Sequence, residues 1–336
     1  LVLRLPSSFL PNEDQGYIIV NVQLPPGATT NRALAVMQQV EGFMLKQPEV
    51  KSMVSVLGFS FSGQGQNAAL AFVTLKDWHE REGPGQSAQA LAGRTFGAMM
   101  AVKDAFIFPL SPPPIPELGS ATGFNFRLQD RGSNGHDALL AARNQLLGMA
   151  GQSKLLAGVR PDGLEDAPQL RIEIDRDKAA ALGVGFDAIN LVISTAFGSS
   201  YVNDFQSQGR LQRVVVQADA AGRMQGDDVL QLRAINHRGQ LVPLSAFAST
   251  RWITGPMQLL RYNGYPTMRI AGDAAPGVST GEAMAEMERL AAQLPPGFGF
   301  EWTGQSREER LAGSTAIFLF GFSLLAVFLC LAALYE

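Results

Sequence analysis

Few residues of this chain are arranged for catalysis. The three histidines, His79, His136 and His237, are far apart in the sequence, and each stands in a polar turn or at a predicted helix start. None pairs with a second ligand at the spacing of a metal site, so we interpret all three as surface residues. We interpret the adjacent pair Glu165 and Asp166 as a turn cap and not as an acid–base pair. There is therefore little support for an enzyme, and we predict no cofactor and no metal site.

The composition excludes further classes of function and structure. Charged residues make up 17% of the 336 residues and the formal net charge is −3, so there is no basic field of the kind that binds nucleic acid. Cys330 is the single cysteine, which excludes a disulfide bond within the chain. The glycine-rich run at 63–66 is too short for a phosphate-binding loop and has no lysine. The length is enough for two or more domains.

The residues best suited to bind a ligand are apolar and aromatic, and they lie in and around the segment 58–67. This segment is rich in glycine, serine and amides, which predicts a loop. Phe59 and Phe61 lie within it, although an exposed aromatic ring costs free energy. A loop with two such rings either inserts them into a core or presents them to a cavity, and we favour the cavity. Its glycines permit backbone angles that other residues resist, so we expect the loop to move; they are Gly58, Gly63 and Gly65.

Further aromatic residues stand on predicted strands beside this loop. Phe72 lies on the strand that follows it, and Phe108 and Leu110 precede a run of three prolines at 112–114. Core packing is the favoured interpretation for Phe72 and Phe108, and cavity lining is the alternative. Apolar linings of this kind are typical of broad, adaptable ligand sites.

The elements around the loop are predicted to form a β-α-β-β-α-β unit of the split βαβ, or ferredoxin-like, type. Its four strands are expected at 16–24, 50–57, 68–75 and 105–110. Thr29 or Thr30 can cap the first helix and Ser87 the second. The helical period places these residues of the second helix inward: Leu91, Ala92, Phe96, Met99 and Met100.

The same order of elements begins again but is interrupted. A strand at 124–129, a helix at 137–150 and a strand near 155–159 come first. A strand at 267–272, a helix opened by a capping box at Ser279 and a strand at 298–302 complete the unit much later. The interruption, roughly 170–256, carries its own short helices and strands, so the sequence predicts a small α+β module inserted into the second unit.

A long apolar segment ends the sequence. Leu311–Tyr335 contains no charged residue, and about 20 apolar residues suffice to cross a bilayer. A buried core helix is the alternative, but soluble helices rarely stay apolar on every face over such a length, so we predict a membrane span. Residues 1–3 are expected to be the tail of another apolar segment.

Seven segments in family order along the whole chain carry a resemblance to one protein family. They are LPSSFLPNEDQG at 5–16, GFSFSGQGQN at 58–67, ATGF at 121–124, RPDGLED at 160–166, GSSYVND at 198–204, STGEAM at 279–284 and FLCLAALYE at 328–336. The chain resembles the resistance-nodulation-division (RND) multidrug efflux pumps of the hydrophobe/amphiphile exporter type (AcrB/MexD-like). The segment 58–67 resembles their switch loop.

The resemblance implies an α+β architecture of two ferredoxin-like porter subdomains, a docking subdomain and one transmembrane helix. In this sequence the implied parts are residues 1–10 as the end of the preceding membrane helix and a linker, 11–116 as the third porter subdomain, 117–169 with 257–304 as the split fourth porter subdomain, 170–256 as the C-terminal half of the docking subdomain, and 305–336 as the transmembrane helix.

The resemblance also implies which residues contact drugs. Phe59, Phe61 and Gln64 would lie on a switch loop that separates a proximal from a distal pocket. The distal pocket would be lined by Val54, Val56 and Phe72. The entrance and the proximal pocket would be lined by Phe108, Leu110, Pro112, Glu117, Arg160 and Asp162.

Two of these positions depart from the family pattern. Val54 stands where AcrB-like members have phenylalanine, which removes a stacking surface worth roughly 0.5–1.5 kcal/mol beyond its area. Gln64 stands where they have arginine, which removes a cation and its planar stacking surface. Both departures are expected to change the range of drugs.

The resemblance further implies the setting of the chain. Such pumps are proton-driven homotrimers in the inner membrane of Gram-negative bacteria, joined by a periplasmic adaptor to an outer-membrane channel. They export amphiphilic drugs, dyes or detergents, and the bulk of this chain would be periplasmic. A proton-driven carrier needs buried ionisable groups in the membrane, and Leu311–Tyr335 has no Asp, Glu, Lys or His, so the proton relay would lie on other helices.

Two other interpretations remain open at this point. One is a membrane-anchored periplasmic scaffold that uses its ferredoxin-like units only for assembly and does not transport. The other is a relative that exports metal ions, which would need methionine or carboxylate pairs in its cleft. Met53, Met99 and Met100 are present, but the last two fit an ordinary helix core.

Overall fold

The structure is a computed structural model that describes residues 13–61, 63–112, 115 and 123–335. The membrane-helix end expected at residues 1–10 and the expected ligand residue Glu117 lie outside these ranges. The chain divides into two compact units, which are described separately. The first comprises Leu1–Glu165 with Pro256–Glu336, and the second comprises Asp166–Gly255. The mixed α+β class expected from the sequence is confirmed.

The first unit begins with a four-stranded antiparallel sheet. Its strands lie in the order β2-β3-β1-β4. Two helices are connected to it in the chain order β-α-β-β-α-β. The elements are β1 (Tyr17–Gln23), α1 (Thr30–Met44), β2 (Val50–Ser60), β3 (Gly63–Leu75), α2 (Ala88–Met99) and β4 (Phe106–Leu110).

Alternation along β1 assigns the two faces of this sheet. Ile18, Val20 and Val22 are fully buried and share a core with α1 and α2. Residues of a strand point to opposite faces in turn, so Asn21 and Gln23 lie on the face that these helices do not cover. The helices start where the sequence predicts, because Thr29 and Ser87 accept hydrogen bonds from the backbone amides of their first turns.

A second sheet in the first unit repeats this arrangement. Its order is β13-β14-β5-β15, with β6 also paired to β14. Phe124, Phe126 and Leu128 pack in a core with α3 and α7, whereas Asn125 and Arg127 alternate to the other face. Ser279 opens α7 with the expected capping box. The elements are β5 (Phe124–Asp130), α3 (His136–Ala150), β6 (Leu156–Pro161), β13 (Leu260–Tyr262), β14 (Tyr265–Ala274), α7 (Thr280–Ala291) and β15 (Phe298–Trp302).

The second unit is a small module with its own core. Ile189, Leu244 and Phe247 lie at its centre. A hairpin of two strands, β8 and β9, is largely exposed. The elements are β7 (Ala167–Ile174), α4 (Arg176–Ala181), α5 (Phe186–Ile193) followed by a π-helical turn (Ser194–Gly198), β8 (Ser200–Ser207), β9 (Arg210–Val216), α6 (Asp228–Gln231), β10 (Arg233–Ile235), β11 (Leu241–Pro243) and β12 (Ala248–Gly255).

The last element is the helix α8 (Gln305–Tyr335). Its side chains from Leu319 to Tyr335 are exposed. Among the described residues, no helix meets the combined length and hydropathy expected of a membrane span. The span expected over this segment therefore stays a prediction.

Two local expectations from the sequence are wrong. The segment 58–67 is mostly a β-hairpin and not an open loop, because β2 continues to Ser60 and β3 starts at Gly63. On α2 the buried set includes Thr95, whereas Phe96 and Met100 are exposed. Helical spacing marks an apolar face but does not show which end of that face meets a core and which meets a cavity.

Asp14 anchors the region around α2. Its carboxylate accepts hydrogen bonds from Arg81 at 2.5 and 2.7 Å and from the Ala88 amide at 2.7 Å. The Arg81 side chain is only 2% exposed, so it depends on this partner. Burial alone would raise the pKa of Asp14, but the hydrogen bonds from Arg81, Ala88 and Gly16 lower it to about 2.

Replacement of Asp14 with alanine is expected to reduce the free energy of unfolding by about 3 kcal/mol at neutral pH, because Arg81 is left buried without its counter-charge. The pKa of Asp14 is lower in the folded protein, so its contribution is complete above about pH 4 and is lost as the pH falls towards 2. Denaturant unfolding followed by tryptophan fluorescence measures the change. The control is Asp104→Ala, since the pair of Asp104 with Arg32 is exposed and should matter little; an equal loss in both variants would contradict the anchor role.

Candidate ligand-binding cavity

A cavity of about 500 Å³ lies between the two sheets of the first unit, on the faces that their helices leave open. From the first sheet it is lined by Asn21, Phe108 and Leu110, and from the second by Asn125 and Arg160. Strand register explains the grouping, because Asn21 pairs with Phe108 and directly paired residues share a face. Three of the residues expected to line a pocket, Phe108, Leu110 and Arg160, are thus brought together.

An arginine stacked on an aromatic ring forms one side of this cavity. The Arg160 guanidinium lies over the Phe108 ring, 3.7 Å from its centroid. Burial lowers the pKa of Arg160, and the nearby charges of Asp162 and Asp273 oppose that effect. A guanidinium keeps its charge in such a setting, so the ring and the two carboxylates replace part of its lost hydration.

Phe108 belongs to a group of three aromatic rings. Its ring meets Phe96 edge to face at 5.8 Å and stacks on Phe106 at 5.9 Å. All three line the cavity, so they form an aromatic wall that is supplied by α2 and β4. The expectation that Phe108 packs in a core is therefore wrong. Its alternating position on β4 points to the open face, away from Ile107, which is buried.

The tip of the β2–β3 hairpin also reaches this cavity. Phe61 lines it together with Asp162. Arg269 joins the two segments, since its Nε donates to the backbone oxygen of Asp162 at 2.6 Å and its Nη2 to that of Phe61 at 3.4 Å. The arginine thus ties the hairpin tip to the strand end after β6.

A second cavity of about 410 Å³ adjoins the first, and both are lined by Gln23 and Phe106. Gln64 lines the second cavity and not the first. The hairpin therefore contributes Phe61 to one cavity and Gln64 to the other. Whether the hairpin divides the two spaces stays a prediction.

The three hairpin glycines differ in backbone conformation and in what surrounds them. Gly58 has φ of +84° with open space around it, and the β2–β3 register shifts between Leu57 and Phe59. That combination is a β-bulge that requires a positive φ. A Cβ on Gly63 would approach Leu164 Cδ1 to 2.9 Å, but that atom is the flexible end of a side chain and can shift. A Cβ on Gly65 would meet the Asn67 side chain at 2.7 Å.

Among the described residues, five others that were expected to contact ligands line neither cavity: Val54, Val56, Phe59, Phe72 and Pro112. Val54, Val56 and Phe72 lie on the open face of the first sheet, where Val54 pairs with Phe72, and all three are partly exposed. Core packing of Phe72, the favoured interpretation of the sequence, is wrong. Phe59 is also exposed, and Pro112 is buried.

Two polar residues in the cavity wall were not identified from the sequence. Asn21 and Gln23 lie two positions apart on β1, a strand that is otherwise almost entirely apolar. That spacing places both on one face of the strand, so two polar residues at alternate positions of an apolar strand were the sequence signal for a lined cavity. The same alternation places Phe106 on the face of Phe108, two positions later, and it could have identified Phe106 as well.

Asp273 is a half-buried carboxyl on β14, two residues after Ala271, which lines the cavity. Burial raises its pKa to about 6, against the opposing effect of the positive charge of Arg160. Asp273 therefore changes charge around pH 6, and it does so close to Arg160.

Three groups of residues have the residue types of a catalytic or metal site, and the contacts of each are as follows. Glu165 forms a two-point ion pair with Arg143, at 2.8 and 2.9 Å. Ser279 has the flanking glycines of a nucleophile motif, but its hydroxyl bonds to Glu282 in the capping box. The potential ligand atoms of Asp77, His79 and Glu80 lie within 4.8 Å of one another, a proximity not foreseen from the spacing, and all three residues are exposed.

Comparison with known proteins gives a consistent result. The sequence matches the model of the AcrB/AcrD/AcrF family over residues 1–336. It is 52% identical over 339 residues to the multidrug export protein AcrF of Escherichia coli (strain K12), covering 100% of this chain and 33% of AcrF. It is 49% identical over 339 residues to the multidrug resistance protein MdtF of the same strain, with 100% and 33% coverage. It is 48% identical over 338 residues to the multidrug/solvent efflux pump membrane transporter MepB of Pseudomonas putida, with 100% and 32% coverage.

The chain thus spans about one third of the length of these curated relatives.

Replacement of Asp273 with asparagine is expected to stabilise the protein above pH 6. The folded-state pKa is above the usual value, so the folded protein loses stability as the pH rises from about 4 to about 6 and the carboxyl ionises. Asparagine keeps the shape and removes the ionisation, which is worth roughly 2–3 kcal/mol at pH 7. Unfolding measured from pH 4 to 8 tests this. The exposed Asp77→Asn is the control, and a gain that does not vary with pH would contradict the assignment.

Proposed function

The chain belongs to the AcrB/AcrD/AcrF family, and we propose that it is the drug-recognition and docking portion of an inner-membrane, proton-driven multidrug efflux transporter. It captures amphiphilic drugs, dyes or detergents in periplasmic cavities and passes them across the β2–β3 hairpin towards an outer-membrane channel. The observation that carries the proposal is the aromatic cavity between the two open sheet faces.

The cavity has the properties that an exporter of unlike amphiphiles needs. A volume of about 500 Å³ suits a drug-sized molecule. Its aromatic wall gives non-directional contact, and the charge of Arg160 gives one polar partner. Binding that depends on apolar surface and few polar pairs accepts many ligands.

The hairpin is proposed as the switch segment between a proximal and a distal pocket. Phe61 belongs to the first cavity and Gln64 to the second, which supports a dividing role. Val54, Val56 and Phe72 form the proposed distal surface, and their shared open face supports it. Phe59, Pro112 and Glu117 keep the drug-contact roles that the family resemblance implies.

The domain boundaries implied by the family are part of the proposal. Residues 11–116 form one ferredoxin-like porter subdomain, and 117–169 with 257–304 form the second. The strand order β2-β3-β1-β4, with two helices on one face, supports the ferredoxin-like form. Residues 170–256 form the docking subdomain.

We place the last segment, 305–336, in the membrane as a transmembrane helix. The exposed apolar side chains of α8 from Leu319 onward support contact with lipid. Leu311–Tyr335 has no ionisable carboxyl, lysine or histidine, so the proton relay is proposed to lie on other helices of the full transporter. The functional form is a homotrimer with a periplasmic adaptor and an outer-membrane channel.

Drug susceptibility tests the whole proposal. The full gene, expressed in a host that lacks its own pumps, should raise the minimum inhibitory concentrations of several unrelated amphiphiles. Unchanged values together with normal expression would favour a scaffold without transport. A metal-exporting relative would need methionine or carboxylate pairs in its cleft. Met99 is in the helix core, and Met100 is exposed and lines neither cavity. Asp162 and Glu165 line the first cavity, but they form ion pairs with Arg269 and Arg143, so the drug exporter is the favoured proposal.

Replacement of both Gly58 and Gly63 with proline in the full transporter should abolish export of bulky drugs. Proline fixes φ near −65°, whereas the bulge at Gly58 requires +84°. Minimum inhibitory concentrations measure the effect, and unchanged resistance would refute the switch role of the hairpin.

A milder matched pair separates switching from general strain. Gly58→Ala and Gly277→Ala each place a side chain in open space at almost the same φ, +84° and +83°. Each is expected to cost about 1–2 kcal/mol in stability. Only Gly58→Ala should lower resistance to bulky drugs, by fourfold or more; equal losses would indicate destabilisation alone.

A further inference from the structure

A short turn between β3 and α2 carries three metal-binding residue types at the surface. The turn is a 3₁₀ helix (Trp78–Glu80) that follows Asp77, and the Glu80 amide donates to the backbone oxygen of Asp77 at 2.9 Å. Side chains three positions apart in such a helix eclipse each other, which brings the carboxylates of Asp77 and Glu80 to one side. His79 belongs to the same turn, and one potential ligand atom from each of the three residues lies within 4.8 Å of the other two.

The three side chains are available to a ligand. All of them are exposed. Within the described ranges, none of them forms a hydrogen bond or an ion pair. The next cation along the chain is bound elsewhere, since the Arg81 guanidinium donates to the Asp14 carboxylate at 2.5 and 2.7 Å. In the part of the chain that the structure describes, two carboxylates and an imidazole thus lie together with no cation in contact.

The backbone that carries these residues is held in place on both sides. The Trp78 Nε1 donates to the backbone oxygen of Asp14 at 3.0 Å, and the Arg81 Nε donates to that of Lys76 at 2.8 Å. The Arg81 side chain is also buried against Asp14. A site on a fixed backbone loses less conformational entropy when it binds, because only its ligand side chains have to be ordered.

The residue types favour a particular class of ion. Imidazole combined with carboxylates suits Zn²⁺ and its neighbours among the divalent transition metals, whereas Mg²⁺ and Ca²⁺ prefer oxygen ligands alone. Bonds from zinc to nitrogen or oxygen are about 2.0–2.2 Å long, so two ligand atoms on one ion lie roughly 3–3.5 Å apart. Exposed side chains whose ligand atoms are already within 4.8 Å reach that separation by shifts of about 1 Å.

We propose that Asp77, His79 and Glu80 form a surface site for a divalent transition metal ion, with Zn²⁺ as the preferred ion. The two carboxylates and one imidazole nitrogen supply three ligands, and water completes the coordination. The three residues line neither of the two cavities described above, so the ion is a bound ligand of the β3–α2 connection and not a transported substrate. The inference is independent of the proposed function.

Zinc binding by the full-length transporter tests the site. The protein is purified without an oligohistidine tag and reconstituted in lipid nanodiscs, and isothermal titration calorimetry with Zn²⁺ gives the number of ions per chain and their dissociation constants. Wild type should bind one more ion per chain than His79→Ala, which removes the imidazole. Co²⁺ is the spectroscopic probe, because its visible absorption depends on its ligands; the band of the wild-type complex should weaken in His79→Ala.

Two neighbouring glutamates give a matched control for charge. Glu80→Gln removes a ligand and should weaken Zn²⁺ binding at this site at least tenfold, because even the outer-shell partners of metal ligands are worth about 10- to 100-fold in affinity. Glu82→Gln removes the same charge from an exposed position outside the group. It should weaken binding by no more than about threefold, as expected for an exposed charge that does not touch the ion.

Stability measurements separate loss of the site from loss of the fold. Denaturant unfolding with a chelator present should give the same midpoint for wild type and His79→Ala, and Zn²⁺ should then raise the midpoint of wild type more than that of the variant. Equal zinc stoichiometry in wild type and His79→Ala, or equal weakening by Glu80→Gln and Glu82→Gln, overturns the site. Either of those results leaves the proposal of drug export standing, since the three residues line neither cavity.

Discussion

The alternation of side chains along β1 is the constraint on which the rest of the first unit depends. A strand must send every second residue to each face, and α1 and α2 cover only the face of Ile18, Val20 and Val22. The opposite face has to meet something else. The second sheet has the same one-sided covering, so the two uncovered faces enclose a cavity instead of closing a third core. The cavity thus forms because each of the two sheets is covered by helices on one face only. The residues that line it follow from the strand register.

Charge in this cavity is governed by the same enclosure. Arg160 gives up hydration on burial and is compensated by the Phe108 ring and by the carboxylates of Asp162 and Asp273. The same burial makes Asp273 a weaker acid. As the external pH falls towards 6, the compensation of Arg160 weakens while its own charge persists. The region around Arg160 is therefore more electropositive below about pH 6 than above it.

The sequence predicts well the helix ends that depend on local hydrogen bonds. It predicts poorly whether an apolar side chain of a helix or strand packs in a core or lines a cavity. The caps at Thr29, Ser87 and Ser279 were predictable because each satisfies free amides within its own helix turn. The side on which Phe96 or Phe108 lies was not, because an apolar residue has the same pattern whether it meets a core or a ligand cavity. The family resemblance nominated residues of the cavity, but it passed over Asn21, whose place in the cavity wall depends on the neighbouring strands.

The segment 58–67 forms paired strands where the sequence predicts a loop, and this changes how the proposed dividing hairpin can move. The Ser60 hydroxyl donates to the backbone oxygen of Gly63, and the strand ladder continues from there, so Phe61 and Gln64 belong to one hydrogen-bonded element. The β-bulge at Gly58 is the position at which this hairpin can bend. If the hairpin divides the two cavities as proposed, a displacement of its tip would affect both cavities at once. Coordinated filling and emptying would in that case require no separate signal between the two cavities.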